Sequence, residues 1–269
     1  MTTVERRIIA YMEETSPDSS GAIHSSDGAR SYGYRAALVG GITVYGWSVP
    51  AIIEALGEDW HHNGWSGFQF RRPVYAGEEV TASVTQRSEQ HFELLVSKGD
   101  GERCVVGTVG HGTAPWLSEF EDPEDRKLGG PLAEPIPLTL DDAPIGHDLQ
   151  PVVLEPTAEE ARAYADRLQD SNPLWSGSQP VLHPAWYGNL QPAMRATFSF
   201  GPSMHASSEI QYLLPLRPDQ PITLASRLAT VYERRGHHYA TIHGVYLDED
   251  GREHVKVRYT TVFKIAERE

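Results

Sequence analysis

The strongest constraint on the fold is a single apolar stripe. Ile42, Tyr45, Val49, Ile52, Ile53 and Leu56 recur at steps of three and four, the spacing that places side chains on one face of a helix. Gly57 follows as a stop signal. Pro50 lies inside the pattern, where it removes a backbone hydrogen bond and presses on the carbonyl four residues back. That residue is Gly46, so either a kink is absorbed there or the helix proper begins near Ser48. Gly40 and Gly41 precede the stripe. They allow close approach of the backbone to a ligand, and a helix start offers N–H groups that lack intrahelical partners.

The segments after this helix read as strands. Gly67 to Arg72 is a short one, a turn at Ala76-Gly77 leads into a long one from Glu78 to Arg87, and Phe92 to Ser97 pairs with Cys104 to Thr113 across Lys98-Gly99-Asp100-Gly101. From Pro115 to Pro156 the chain becomes rich in proline and acidic residues with no sustained period, as expected of a linker. Thr157 and Glu160 have the spacing of a capping box ahead of a helix from Ala158 to Leu168. Pro184 opens a shorter helix. Strands follow at His205 to Leu214, Ile222 to Tyr232, His238 to Leu247 and His254 to Ile265. The second half thus repeats the plan of the first, and AYMEETSPDSSGAIH against AYADRLQDSNPLW is a short trace of duplication.

Bulk properties narrow the function. A formal net charge of −14 argues against a nucleic-acid surface or adhesion to anionic membranes. No apolar run approaches the roughly 20 residues of a membrane span. Cys104 is the sole cysteine, which excludes an internal disulfide and a thiolate metal cluster. His61-His62 and His237-His238 lack the placement of a helical metal pair, so no metal and no cofactor is expected. The N-terminal stretch carries charges where a secretory signal would be apolar, and a cytoplasmic location is expected. There is no G-x-S-x-G, Walker loop or dinucleotide fingerprint.

The run from Ile23 through Tyr45, with IH, D, AR, GYR, LVGG and VYG, followed by FRRPVYAGEEV from Phe70 to Val80, resembles the MaoC-like acyl dehydratases, the R-specific enoyl-CoA hydratases. The resemblance implies an α+β double hot-dog: two antiparallel sheets, each wrapping a central helix. It also selects a strand over a helix for residues 4 to 15, whose pattern fits both. The implied units are residues 1–114, the expected site of chemistry, and 157–269, a degenerate or supporting half, with 115–156 as linker; two units of roughly 120 residues fit the length.

The family's D-x-N-P-x-H motif is split between the halves. His24 falls on the histidine, with Gly21 and Ala22 in place of Asn-Pro, Ser19 at the Asp position and Asp18 one residue early. The second half keeps Asp170, Asn172 and Pro173 but has Trp175 at the histidine position. The resemblance therefore implies catalysis by His24 with Asp18 or Ser19, and substrate binding by Gly40, Gly41, Tyr45, Asp170, Asn172 and His183. The expected partner is a small acyl thioester on coenzyme A or a carrier protein, in a monomer or homodimer of double units. Its carbonyl would be polarised by backbone N–H groups near Gly40. Arg71 or Arg72 could reach a carrier phosphate. Alternatives are an acyl-binding protein without catalysis, a specialised isomerase or cyclase, and a thioesterase using a helix carboxylate, for which Glu54 is the one acidic residue on the patterned helix.

Overall fold

The computed structural model describes residues 2–12, 22–127 and 133–266. In the first half, strand β1 (Thr3–Ile9) precedes helices α1 (Ser26–Ser31), α2 (Gly41–Gly46), α3 (Val49–Leu56) and α4 (Trp60–Asn63). Strands β2 (Gly64–Phe70), β3 (Glu79–Gln86), β4 (Phe92–Lys98) and β5 (Arg103–His111) follow. The connecting stretch contributes β6 (Ile136–Pro137) and β7 (Val152–Leu154). Beyond it come α5 (Ala158–Arg167), α6 (Pro173–Ser176), a 3-10 turn at Pro184–Gly188, α7 (Gln191–Thr197) and β8 (Phe198–Ser199). The last strands are β9 (Met204–Tyr212), β10 (Ile222–Arg234), β11 (His237–Leu247) and β12 (Glu253–Lys264).

Both expected antiparallel sheets are present, and they meet edge to edge. The strand order is β1-β3-β4-β5-β2-β9-β12-β11-β10-β7, with β2 and β9 pairing from Trp65↔Gln211 to Gln69↔Ser207. This junction removes one exposed edge from each half, a common way to blunt unpaired strand edges. The architecture is the α+β double hot-dog, with the helices packed on one face of a continuous sheet.

The stripe at Ile42–Leu56 forms two helices, α2 and α3. Ser48 stands just ahead of α3, its hydroxyl donating back to Tyr45 O at 2.6 Å, and Pro50 sits in the first turn, where the missing N–H costs nothing. Gly57 ends α3 with φ +97°. Burial is wider than one stripe: Val44, Tyr45, Trp47, Val49, Ala51 and Ile52 are all buried. Sheet strands cover one side and the second half's helical layer covers the other. Each fully buried Val or Ile here contributes roughly 1.5–3 kcal/mol.

That layer comes very close. A Cβ added at Gly46 would lie 2.7 Å from Leu168 Cδ2, and one at Gly188 would lie 2.1 Å from Ile42 Cδ1. Glycine at both positions lets α2 dock against α5 and the Pro184–Gly188 turn. The capping box of α5 is formed: Thr157 Oγ1 accepts from Glu160 N–H, and the Glu160 carboxylate accepts from Thr157 N–H at 2.8 Å.

The acidic connection is ordered along its described length against basic residues of the second sheet. Glu119 pairs with Arg258 at 3.2 Å, Asp122 with Lys256 at 2.6 Å and Asp148 with Arg227 at 2.9 Å. Phe120 stacks on His243 with ring centroids 4.7 Å apart. No helix among the described residues is long and apolar enough to cross a membrane.

Candidate functional site

His24 ends a 3-10 turn at Ala22–His24, immediately before Ser25, which caps α1 by accepting from Gly28 N–H. The turn is tied to the chain ahead of α2: Leu38 N–H donates to Ile23 O at 3.0 Å, and His24 Nδ1 lies 2.7 Å from Leu38 O. A carbonyl only accepts, so Nδ1 carries the proton. Nε2 is left with the lone pair, which is the arrangement a general base requires.

The half-buried His24 ring borders two cavities. One, of about 260 Å³, is walled by Ile23, Tyr34, Leu38 and Val44 of the first half, by Phe70 to Val74 at the end of β2, and by Met204, His205, Tyr239 and Val262 of the second. The other, of about 390 Å³, lies between His24, Gly40 and Thr43 on one side and Tyr164, Arg167 and Leu168 on the other. The first mixes apolar walls with polar groups, among them His24, Tyr34, Arg71, Arg72 and His205, a make-up that can both bury and orient a small molecule.

Gly40 caps α2 and borders the second cavity, while Gly41 borders the first. Their glycine character has different origins. At Gly41 a Cβ would stand 3.0 Å from the Phe70 ring, whereas at Gly40 it would meet His24 Cε1 at an ordinary 3.9 Å. The α2 start and the His24 ring are therefore neighbours. Arg71 and Arg72 are exposed at the rim of the first cavity; Arg72 pairs with Glu102 at 3.4 Å, and among the described residues the Arg71 side chain has no ion-pair partner.

Four expected contacts do not reach this site. Tyr45 is wholly buried, stacked on Phe68 at 3.9 Å, with its hydroxyl bonded to Ser66 Oγ at 3.0 Å and Tyr212 OH at 3.1 Å. Burial pushes its pKa up to about 12 despite both bonds, so it is a core phenol. Asp170, Asn172 and His183 border neither cavity around His24. Asn172 caps α6 by accepting from Leu174 N–H at 3.0 Å.

Asp170 and His183 instead pair with each other. His183 Nε2 is 3.2 Å from Asp170 Oδ2, and its Nδ1 accepts from Ala185 N–H at 3.1 Å. The residues are 3% and 1% exposed, closed in by Trp175, whose ring centroid is 4.9 Å from that of His183. Burial lowers the His183 pKa, outweighing the pull of Asp170. Burial would raise Asp170, but hydrogen bonds from His183 Nε2–H and from the Asn172 N–H hold the carboxyl below the usual range. An acid–histidine pair thus exists in the second half, formed by two residues expected at the substrate site and shut away from both cavities. Asp18 and Ser19 lie outside the described residues.

Glu54, the thioesterase candidate, is exposed on the outer side of α3 and borders neither cavity. Cys104 is buried, and burial pushes its thiol up to about 11.

His205 was not singled out by sequence. It is the second residue of β9 and borders the first cavity between the Phe70 and Tyr259 rings, at centroid distances of 4.7 and 4.5 Å. The alternation of Ser208, Ile210 and Tyr212 assigns position 206, not 205, to the inner face. Only the register of the partner strand reveals the exception.

No family model and no curated protein matches the sequence. Solved structures match its fold. A MaoC domain protein dehydratase from Chloroflexus aurantiacus superposes with a TM-score of 0.58 at 12% identity, covering 93% of this chain and 89% of that one. A Mycobacterium tuberculosis protein described as a double hot-dog gives 0.56 at 9% identity, covering 88% and 86%. An oleoyl thioesterase structure from Lactobacillus plantarum gives 0.55 at 10% identity, covering 99% and 98%. At these identities the likeness establishes the double hot-dog fold, the fold also found in MaoC-like dehydratases.

Proposed function

We propose that the protein processes an acyl thioester in the cleft beside His24, as a hydratase or dehydratase. The observation that carries the reading is the His24 contact: Nδ1 lies 2.7 Å from Leu38 O, which can only accept, so in the neutral ring Nε2 is available as a base next to the start of α2. The similarity of the fold to a MaoC domain dehydratase and to an oleoyl thioesterase supports acyl-thioester chemistry in general. The position of Glu54 favours proton transfer over helix-carboxylate hydrolysis.

The thioester carbonyl accepts from the backbone N–H groups at Gly40 and Gly41, which stabilises negative charge as it builds on oxygen. In hydration His24 takes a proton from the water adding to the β-carbon and delivers it to the α-carbon; in dehydration it removes the α-proton and gives it to the β-hydroxyl, which departs as water. Arg71 supplies a cation at the rim for a phosphate of coenzyme A or phosphopantetheine.

The test is turnover of 2-enoyl-CoA thioesters of several chain lengths, followed by loss of enoyl absorbance and by mass, with free thiol measured in parallel. His24→Ala is expected to lose about 10²- to 10⁴-fold in rate with an unchanged circular dichroism spectrum. Thiol release by the wild type would replace hydration with hydrolysis. Ligand binding without any turnover would leave an acyl-binding protein.

A further inference from the structure

The inner face of β9 is set by Ser208, Ile210 and Tyr212. Ser208, Ile210 and Tyr212 are buried, and Tyr212 bonds to Tyr45 of α2. Glu209, on the opposite face, pairs with Arg258 of β12. Continued without interruption, this alternation would send His205 outward with Glu209. The ladder breaks first. Thr260 pairs with Ser207 and Thr261 pairs with His205, so Ala206 is an extra residue on β9. Such a bulge re-aims the side chain next to it, and here it places the His205 ring on the same side as Ser208. The two side chains accordingly meet, with His205 Nε2 2.7 Å from Ser208 Oγ.

Nε2 also lies 3.2 Å from Ser207 O. Because that carbonyl can only accept, Nε2 carries the proton and Nδ1 the lone pair. No described residue bonds Nδ1. The ring borders the same cavity as His24 but comes from the other half of the chain, and its environment is drier. Flanked by Phe70 and Tyr259, it has lost enough water that its pKa falls to about 3. It therefore stays uncharged through the working range and does not compete with His24 for a proton.

We propose that His205 is a second ligand-binding residue of this cleft, its Nδ1 accepting a hydrogen bond from an O–H donor on the acyl chain: a hydroxyl, or the water that becomes one. This rests on the acyl-thioester reading above and narrows it to substrates that carry or acquire a hydroxyl near the carbonyl. A saturated acyl chain offers nothing to this acceptor.

Calorimetric binding of 3-hydroxyacyl-CoA and of saturated acyl-CoA, matched at four and eight carbons, tests it. Wild type is expected to favour the hydroxylated ligand by about tenfold, the effect of one buried hydrogen bond. His205→Phe is expected to abolish that preference while leaving saturated-chain affinity within about twofold, since it keeps an aromatic ring between Phe70 and Tyr259. His24→Ala retains at least part of the preference. If His205→Phe fails to fold, histidine nitrogen NMR of the wild type decides: the Nδ1 resonance of His205 should shift on adding the hydroxylated ligand and not the saturated one. An unchanged preference in His205→Phe, or an Nδ1 resonance indifferent to the hydroxyl, overturns the proposal while leaving the acyl-thioester reading intact. Failure of both ligands to bind wild type overturns that reading, and this inference with it.

Discussion

Among the described residues, Asp170 and His183 form a better-defined acid–histidine pair than anything around His24, yet they are closed off by Trp175. Their role follows from what each would lose alone. The Asp170 carboxylate is 3% exposed and takes its main side-chain bond from His183. A buried charge deprived of its partner is costly, so His183→Ala is expected to destabilise the protein by about 3 kcal/mol, read as a lower urea midpoint at unchanged m. Turnover per folded molecule should stay near wild type. Lost turnover with unchanged stability would move the chemistry to the second half. This pair also marks how far the site was legible. His24 could be read because its neighbours in sequence carry a motif. His183 stands 13 residues from Asp170, across a loop whose path no local pattern sets, and His205 depends on a bulge written in the pairing of two strands.

At the level of elements, the patterned helix was recognisable because periodicity and a glycine stop agree with each other. Its true environment was not, because a stripe reports only the side with the strongest pattern. Gly46 looked like a place to absorb a kink at Pro50. In the structure it ends α2, and its missing side chain makes room for Leu168. Gly188 plays the reciprocal part against Ile42. Gly188→Ala is the sharper test, since its Cβ would fall 2.1 Å from Ile42 Cδ1, a distance that requires the isoleucine or the turn to move. Overpacking of this kind costs about 1–3 kcal/mol. Gly188→Ala combined with Ile42→Val, which removes the opposing methyl, should recover part of the loss. If the double variant is no more stable than Gly188→Ala, the contact does not limit how closely the two helical layers approach.

For the whole molecule, several desolvated histidines act in the same direction. Desolvation lowers the pKa of His183, His205 and His243, outweighing hydrogen bonds that oppose it. In the unfolded chain these rings titrate near 6.5. Below that value the unfolded state binds protons that the native rings refuse, so stability is complete above about 6.5 and is lost as pH falls towards the depressed native values. For His205 that window runs from about 6.5 to about 3. Carboxylates held low by partners, among them Asp170, Asp248 and Glu253, add a further loss once pH drops through the ordinary carboxylate range. The opposing influence is the net charge of −14: acidification relieves self-repulsion and would by itself stabilise the fold. At physiological salt the screening length is about 8 Å, which weakens repulsion between distant surface charges far more than it weakens burial. The histidine effect is therefore expected to win, and melting temperature at 0.15 M salt should hold between pH 7.5 and about 6.5 and fall from there to pH 5, more steeply than at low salt. His205→Phe, with one fewer ring to protonate on unfolding, should flatten the slope of unfolding free energy against pH by up to about 1.4 kcal/mol per pH unit. A melting temperature that rises on acidification would show that surface repulsion, not the buried rings, governs the stability of this fold.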